Sequence, residues 1–230
     1  MNAMCMKRLL AAMTVACSLL TTPVSSAADS ESAAETAAES VSNTTFKPRK
    51  VEINVPAEGS VSEAQGLEAW SRIYQVASHP RCANCHTGPS DRPMWSGPSY
   101  GKARPHGMNI RAGASRIGAE TLMCQTCHST STVVQDIEHA APRVGTSWRL
   151  APPEAHWFGQ TSVQICEQLK NPATNGGRTF LQLADHLDHD LILHWAWAPG
   201  PGREPAPFTL QDHVNDILAW GVAGMPCPDS

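Results

Sequence analysis

The sequence is poor in aromatic residues, in net charge and in alternating apolar patterns. Aromatic residues make up 6% of its 230 residues, among them 4 Phe and 7 Trp, whereas it contains 18 Pro and 16 Gly. This composition predicts a loop-rich chain with a modest core of its own, which would gain from the apolar mass of a bound group. A formal net charge of −4 gives no indication of a nucleic-acid partner or of binding to an anionic membrane surface.

The apolar run near the N-terminus, residues 9–20, is too short for a membrane-spanning helix. A basic pair precedes this run and small residues follow at 25–28, so residues 1–28 are predicted to be a secretory signal peptide. Lipoprotein processing at Cys17 is an alternative that would anchor the mature protein to a membrane. Export in either form predicts a periplasmic protein.

Residues 29–50 are rich in Ala, Ser and Glu and become basic towards the end of the segment. A segment with so few large apolar residues cannot bury enough surface to fold, so we expect a disordered tether. The remaining residues, 51–230, are predicted to form one domain.

Within this domain, apolar residues recur mainly at helical spacing. Four segments show intervals of three and four residues, which predicts helices at 61–77, 161–171, 179–193 and 209–224. Residues 50–55 are a candidate for a short edge strand or an extended arm, and residues 87–123 show no long apolar period. The predicted fold class is therefore mainly α with extensive ordered coil and little or no sheet.

Two C-x-x-C-H pentapeptides, at 82–86 and 124–128, are the most specific feature of the sequence. This pattern is the signature of covalent c-type haem attachment. Two thiols on a short helical turn add to the vinyl groups of one porphyrin, and the following His binds the iron. The sequence therefore predicts a cytochrome c-like domain with two haem c groups, held by Cys82, Cys85 and His86, and by Cys124, Cys127 and His128.

Paired cysteines are also typical of zinc sites and of redox motifs. A tetrahedral zinc site would use both C-x-x-C pairs, but the pairs lie farther apart than the roughly 15–20 residues of a compact site, and zinc does not require the two His residues. A thioredoxin-like redox motif requires a βαβ setting, which the pattern of this chain does not show. Haem attachment is the reading that explains all six residues.

The second axial ligand of each iron is less well defined by the sequence. His106 lies on a loop bounded by Pro and Gly between the two motifs and is expected to fold over the first haem, with Met108 as a rival. His186 shares the apolar side of the predicted helix 179–193 and is expected to face the second haem. His79, which lies just before the first motif, is a further rival.

Other contacts of the haems are also expected. The apolar face of helix 61–77 is predicted to cover the first haem. Basic residues near the motifs are candidates for charge-assisted hydrogen bonds to haem propionates, namely Arg81, Arg92, Lys102, Arg104 and Arg111.

Cys166 and Cys227 are the cysteines that remain outside the signal peptide and the two motifs. An oxidising compartment favours a disulfide between them, and two separate buried thiols are the alternative.

Beyond the generic haem motifs, the chain resembles a family of small exported di-haem proteins that are usually labelled isoquinoline 1-oxidoreductase subunits. The resemblance covers residues 61–228 and is carried by the segments HPRCANCH (79–86), RPHGMN (104–109), LAPPE (150–154), NGGR (175–178) and WAWAPGPGREP (195–205). It implies an electron-transfer partner of a periplasmic molybdenum hydroxylase of the xanthine-dehydrogenase type. The chain has neither an iron–sulfur cysteine pattern nor the length of a molybdopterin subunit.

The sequence thus predicts a periplasmic di-haem electron-transfer subunit without catalytic side chains. Its expected partners are a molybdenum hydroxylase and a respiratory electron acceptor. A di-haem peroxidase-like enzyme, in which one iron lacks a strong sixth ligand, and a haem-based sensor are the alternatives.

Overall fold

The computed structural model describes residues 48–129, 137–144 and 147–229. The predicted signal peptide, Cys17 and nearly all of the predicted tether lie outside these residues. The described part of the chain contains no helix that is long and apolar enough to cross a membrane.

The described residues form six helices and one small sheet. The helices are α1 (Glu63–Ala77), α2 (Pro80–Ala83), α3 (Ser162–Lys170), α4 (Phe180–His189), α5 (Leu191–Ala196) and α6 (Leu210–Val222). Two antiparallel strands, β1 (Met94–Gly97) and β2 (Gly101–Pro105), form a hairpin in which Trp95 pairs with Arg104. Three short 3₁₀ turns cover Pro98–Tyr100, Gly107–Asn109 and Cys124–Thr126.

Helix α1 begins with a capping box. The Ser62 side chain accepts a hydrogen bond from the Gln65 backbone, and the Gln65 side chain accepts one from the Ser62 backbone. The apolar face of α1 packs against α6, with the Trp70 and Trp220 ring centroids 5.3 Å apart. The central residues of this face are buried against α6, and Cys82 of the first motif packs against the same core cluster. That this face covers the first haem stays a prediction.

Helices α1, α4 and α6 and the disulfide form the main core. Cys166 of α3 is bonded to Cys227, which lies just after α6, with the two Cα atoms 5.7 Å apart, as predicted. Helices α4 and α6 approach so closely that a Cβ at Gly221 would lie 2.1 Å from Cγ of Phe180. A glycine at this position is therefore needed for the contact.

The predicted helix 179–193 is two helices. Asp190 has extended backbone angles, and its side chain accepts a hydrogen bond from the backbone N–H of Ile192 at 2.8 Å. This local cap stops α4 and starts α5, because an Asp side chain competes with the backbone for hydrogen bonds.

The sheet lies elsewhere than predicted. Residues 50–55 have no strand pairing, although Val51 is buried and Glu52 donates its backbone N–H to the Gln211 side chain. They form the extended arm rather than the edge strand. The hairpin instead lies within 87–123, which was expected to be loop, because two strands of four and five residues with Gly and Pro at their ends are too short to show an apolar period.

Candidate functional site

The two C-x-x-C-H motifs adopt the same local turn. The Cys82 carbonyl accepts hydrogen bonds from the backbone N–H groups of Cys85 at 3.1 Å and His86 at 3.2 Å. In the second motif, the carbonyl of the first Cys accepts the equivalent bonds at 3.3 and 3.0 Å. All four thiols are free. Each motif therefore presents two thiols and one imidazole from a single helical turn, as covalent attachment of a porphyrin requires.

The first turn is started by the residues that precede it. Pro80 occupies the first position of α2, where its fixed φ favours a helix. His79 is the N-cap, and its ring nitrogen Nδ1 accepts the backbone N–H of Arg81 at 3.3 Å. The structure thus gives His79, a rival for an axial position, a capping role.

The thiols of the first motif are not activated. Burial raises the pKa of Cys82 to about 12 and that of Cys85 to about 11. Redox-active C-x-x-C motifs have the opposite property, a lowered pKa that keeps a thiolate available. The chemistry of these thiols therefore does not favour the thioredoxin-like reading.

A cavity of about 420 Å³ joins the two motifs. It is lined by Cys85 of the first motif and by Cys124, Cys127 and His128 of the second. Its walls include the aromatic rings of Trp95, Tyr100, Trp148 and Trp195. A concave, mostly apolar site of a few hundred Å³ with few polar groups is typical of cofactor sites.

His106 lies beside His128 at this cavity. Their ring centroids are 6.3 Å apart. An imidazole nitrogen binds a metal at about 2.0 Å and lies roughly 1 Å from the centre of its ring, so two imidazoles on opposite sides of one ion have centres about 6 Å apart. The spacing of His106 and His128 matches this arrangement.

Hydrogen bonds prepare both rings for that role. Nδ1 of His106 lies 3.0 Å from the Gly107 carbonyl, and Nδ1 of His128 lies 3.1 Å from the Pro142 carbonyl. Because a carbonyl only accepts, each Nδ1 must carry the proton, which leaves each Nε2 with a free lone pair. Metal-binding His residues are commonly oriented by such a bond. Burial lowers the pKa of His128 to about 4, and Trp148 stacks on its ring at 4.4 Å.

His86 occupies a separate environment. Trp157 stacks on its ring with centroids 3.5 Å apart and an interplanar angle of 2°. Burial lowers the pKa of His86 to about 3, and the charge of His186 of α4 adds to this effect. The Ala155 carbonyl opposes the shift, although Nδ1 of His86 is buried without a hydrogen bond of normal geometry.

The structure pairs two of the predicted axial residues differently from the sequence expectation, and the axial assignments themselves stay predictions. His106 was expected over the first haem and His186 over the second, whereas His106 lies beside His128 and the charge of His186 acts on His86. The hairpin turns the 106 loop back towards the second motif, and α4 packs against the core beside the first. Met108 lies at the rim of the cavity and is 76% exposed.

The aromatic residues that stack on His86 and His128 are the features of the site that the sequence predicts least well. Trp157 stacks on His86, and its backbone N–H donates to the His86 carbonyl at 2.8 Å. Trp148 and Arg203 reach the cavity from coil segments outside both motifs, so no local pattern predicted these contacts.

In the described part of the chain, no three His, Cys, Asp or Glu side chains converge as a ligand cluster. The described cysteines therefore do not form the tetrahedral site that the zinc reading requires. A haem iron needs less from the protein, because the porphyrin supplies four ligands and two side chains complete the site.

Comparison with known proteins adds no further assignment, since no protein-family model, curated protein or solved structure matches the chain.

Proposed function

We propose that this protein is a periplasmic di-haem c-type cytochrome that transfers electrons and has no substrate chemistry of its own. Cys82 and Cys85 would attach one haem, with His86 as axial ligand. The second haem would be attached by Cys124 and Cys127, with His128 as axial ligand. The bound groups would supply reversible one-electron chemistry at iron.

The observation that carries the proposal is the pairing of His106 with His128. Two imidazoles with ring centroids 6.3 Å apart, each with Nδ1 held by a carbonyl, would both be available to bind one iron and would then fill both of its remaining positions. A closed site favours electron transfer, whereas a peroxidase-like enzyme or a ligand sensor needs an open one. His186 is the corresponding candidate at His86.

The closeness of the two attachment sites supports electron transfer through both motifs. Cys85 and Cys124 line one cavity, and Cys124 contributes to the raised pKa of Cys85. The chain would therefore hold the two cofactors side by side within the same fold.

The partner assignment rests on the resemblance of residues 61–228 to isoquinoline 1-oxidoreductase subunits. We propose a periplasmic molybdenum hydroxylase as electron donor and a respiratory protein as acceptor. Co-purification with a hydroxylase encoded beside this gene, and reduction of the cytochrome when that enzyme turns over, would support the donor assignment.

The function is tested on protein matured in a periplasm that contains the c-type haem attachment machinery. Intact mass should show two covalent haems, and the Cys82→Ala/Cys85→Ala and Cys124→Ala/Cys127→Ala variants should each lose one. Optical and EPR spectra of the oxidised protein should show low-spin, six-coordinate iron, and His106→Ala should make one iron high-spin.

Two outcomes would contradict the proposal. Absence of covalent haem from the wild-type protein would exclude a c-type cytochrome. A high-spin iron in the wild type that binds cyanide or turns over peroxide would replace electron transfer with the peroxidase-like alternative.

A further inference from the structure

Arg81 presents an unusual charge beside the cavity. Its side chain is 8% exposed, and its Nε and Nη2 atoms are buried without hydrogen-bond partners. A buried charge is costly unless it is paired, and a guanidinium has five N–H donors to satisfy. Arg81 lines the cavity wall, so the unpaired N–H groups belong to a site that can receive a ligand.

The contacts that Arg81 does make leave these N–H groups unpaired. Its guanidinium carbon lies 6.0 Å from the Tyr100 ring centroid and 5.5 Å from that of Trp195. Cation–π contacts of this kind stabilise the charge in part. They provide no acceptor for an N–H, which requires an oxygen or nitrogen lone pair.

The neighbouring charges also favour an anion. Arg203 adds a second guanidinium, but its N–H groups are already bonded to the Tyr100 hydroxyl and to the carbonyls of Pro199 and Ala140. Arg143 contributes to the lowered pKa of His128 and has a buried, unpaired Nε of its own. This part of the cavity therefore carries an excess of positive charge.

Glu204 is the carboxylate that could balance Arg81 within the chain. One of its oxygens accepts the backbone N–H and the hydroxyl of Ser99, and the other is buried without a partner. Arg81 and Glu204 influence each other's charge but are not hydrogen-bonded. Glu204 therefore does not supply a hydrogen-bond acceptor for the Arg81 guanidinium.

We propose that Arg81 is a carboxylate-binding residue and that it binds a propionate of the haem attached at Cys124 and Cys127. This inference rests on the proposed function. Arg81 directly precedes Cys82, so a residue on the turn of the first motif would position the cofactor of the second. Two of the other basic candidates are less suited to this role, since Arg111 is exposed and pairs with Asp91, and Arg104 is exposed.

The experiment compares Arg81→Met, Arg81→Lys and the matched control Arg104→Met in full-length protein carrying both haems. Arg81→Met should lower the reduction potential of one haem and leave the other unchanged, because loss of the buried cation leaves the propionate charge unbalanced. Arg81→Lys should show a smaller shift, since it keeps the charge and loses the paired N–H geometry. Arg104→Met should leave both potentials unchanged.

Resonance Raman spectra supply a second readout, because the propionate bending mode responds to hydrogen bonding. The mode should move in Arg81→Lys, which decides the question even where Arg81→Met does not accumulate. An unchanged mode in Arg81→Lys would overturn the inference. Excess acetate should leave the wild-type spectrum unchanged, and an acetate-dependent shift would assign the site to a free carboxylate instead.

Glu204→Gln tests the internal partner. Suppose that Glu204→Gln and Arg81→Met shift the reduction potential equally and non-additively, and that the propionate mode does not change. Arg81 would then be the partner of Glu204, and the proposal would be overturned. Failure of the proposed function is distinguishable from these outcomes, because it would appear in the wild type as an absence of covalent haem.

Discussion

The helical core and the cavity segment differ in how far their buried polar groups are hydrogen-bonded. We define the helical core as α1, α3, α4 and α6 with the disulfide, and the cavity segment as the described residues of 79–158. In the core, reciprocal caps satisfy the N-termini of all four helices. In the cavity segment, Arg81, His86 and Arg143 keep buried polar atoms without partners, whereas the helical core has one such atom, Nδ1 of His213.

This difference indicates that the helical core folds without a bound group, whereas the cavity segment is arranged to bind one. Helices that bury Trp70 against Trp220 need nothing beyond the chain. Unpaired buried polar atoms are rare in proteins, and those of the cavity segment, with Arg81 on the cavity wall, indicate a missing partner. The cavity segment is therefore the part whose stability should depend on the cofactors.

The strongest test of this contrast removes both thiols of the second motif. The Cys124→Ala/Cys127→Ala variant should carry one haem fewer, and amide hydrogen exchange should become faster across the cavity segment. Protection in α1 and α6 should persist, because their interface does not line the cavity. Equally faster exchange in both regions, measured by mass spectrometry, would show that the core is not independent.

The converse experiment removes the disulfide of the helical core. The Cys166→Ala/Cys227→Ala variant should lose about 2–4 kcal/mol of unfolding free energy, because the bond closes a long loop in the unfolded chain. Urea denaturation measures this loss, and haem content serves as the control, which should equal that of the wild type. An unchanged urea midpoint would contradict the assigned role of the bond.

A pH effect is expected from the core residue His213. Burial lowers its pKa to about 4, below the ordinary value of about 6.5. The unfolded chain then binds a proton first as the pH falls, so stability should decrease between about pH 6.5 and 4 by about 1–3 kcal/mol. His213→Leu should reduce this pH dependence relative to the wild type in urea titrations. Parallel curves for the two proteins would exclude His213 as the source.

The smallest effect is expected at Asp190, where α4 ends and α5 begins. Asp190→Ala removes the acceptor for the Ile192 N–H and should cost about 1 kcal/mol. Asp190→Asn keeps a capping oxygen and is the matched control, so it should lie close to the wild type in thermal or urea unfolding. Equal stability of the Ala and Asn variants would show that the cap does not define the break.

The local features of this chain were readable from its sequence. Side chains within three residues of each other form the helix caps at Ser62 and Thr161, and the same short range sets the two Cys-His turns. The disulfide was also predictable, because one pair of cysteines lies outside the predicted signal peptide and the two motifs. Haem attachment, the redox role and the partners remain predictions from motif chemistry and resemblance.

Which His lies beside which motif was decided by the tertiary structure alone. The hairpin that carries His106 towards His128 is made of strands too short to show an apolar period in the sequence. The helix break at Asp190 likewise interrupts a run of apolar residues at helical spacing. The same holds for Arg81, whose unpaired charge exists only because Tyr100 and Trp195 enclose it from distant parts of the chain. Sequence determines interactions within a turn, whereas contacts across many residues depend on how the whole chain buries its surface.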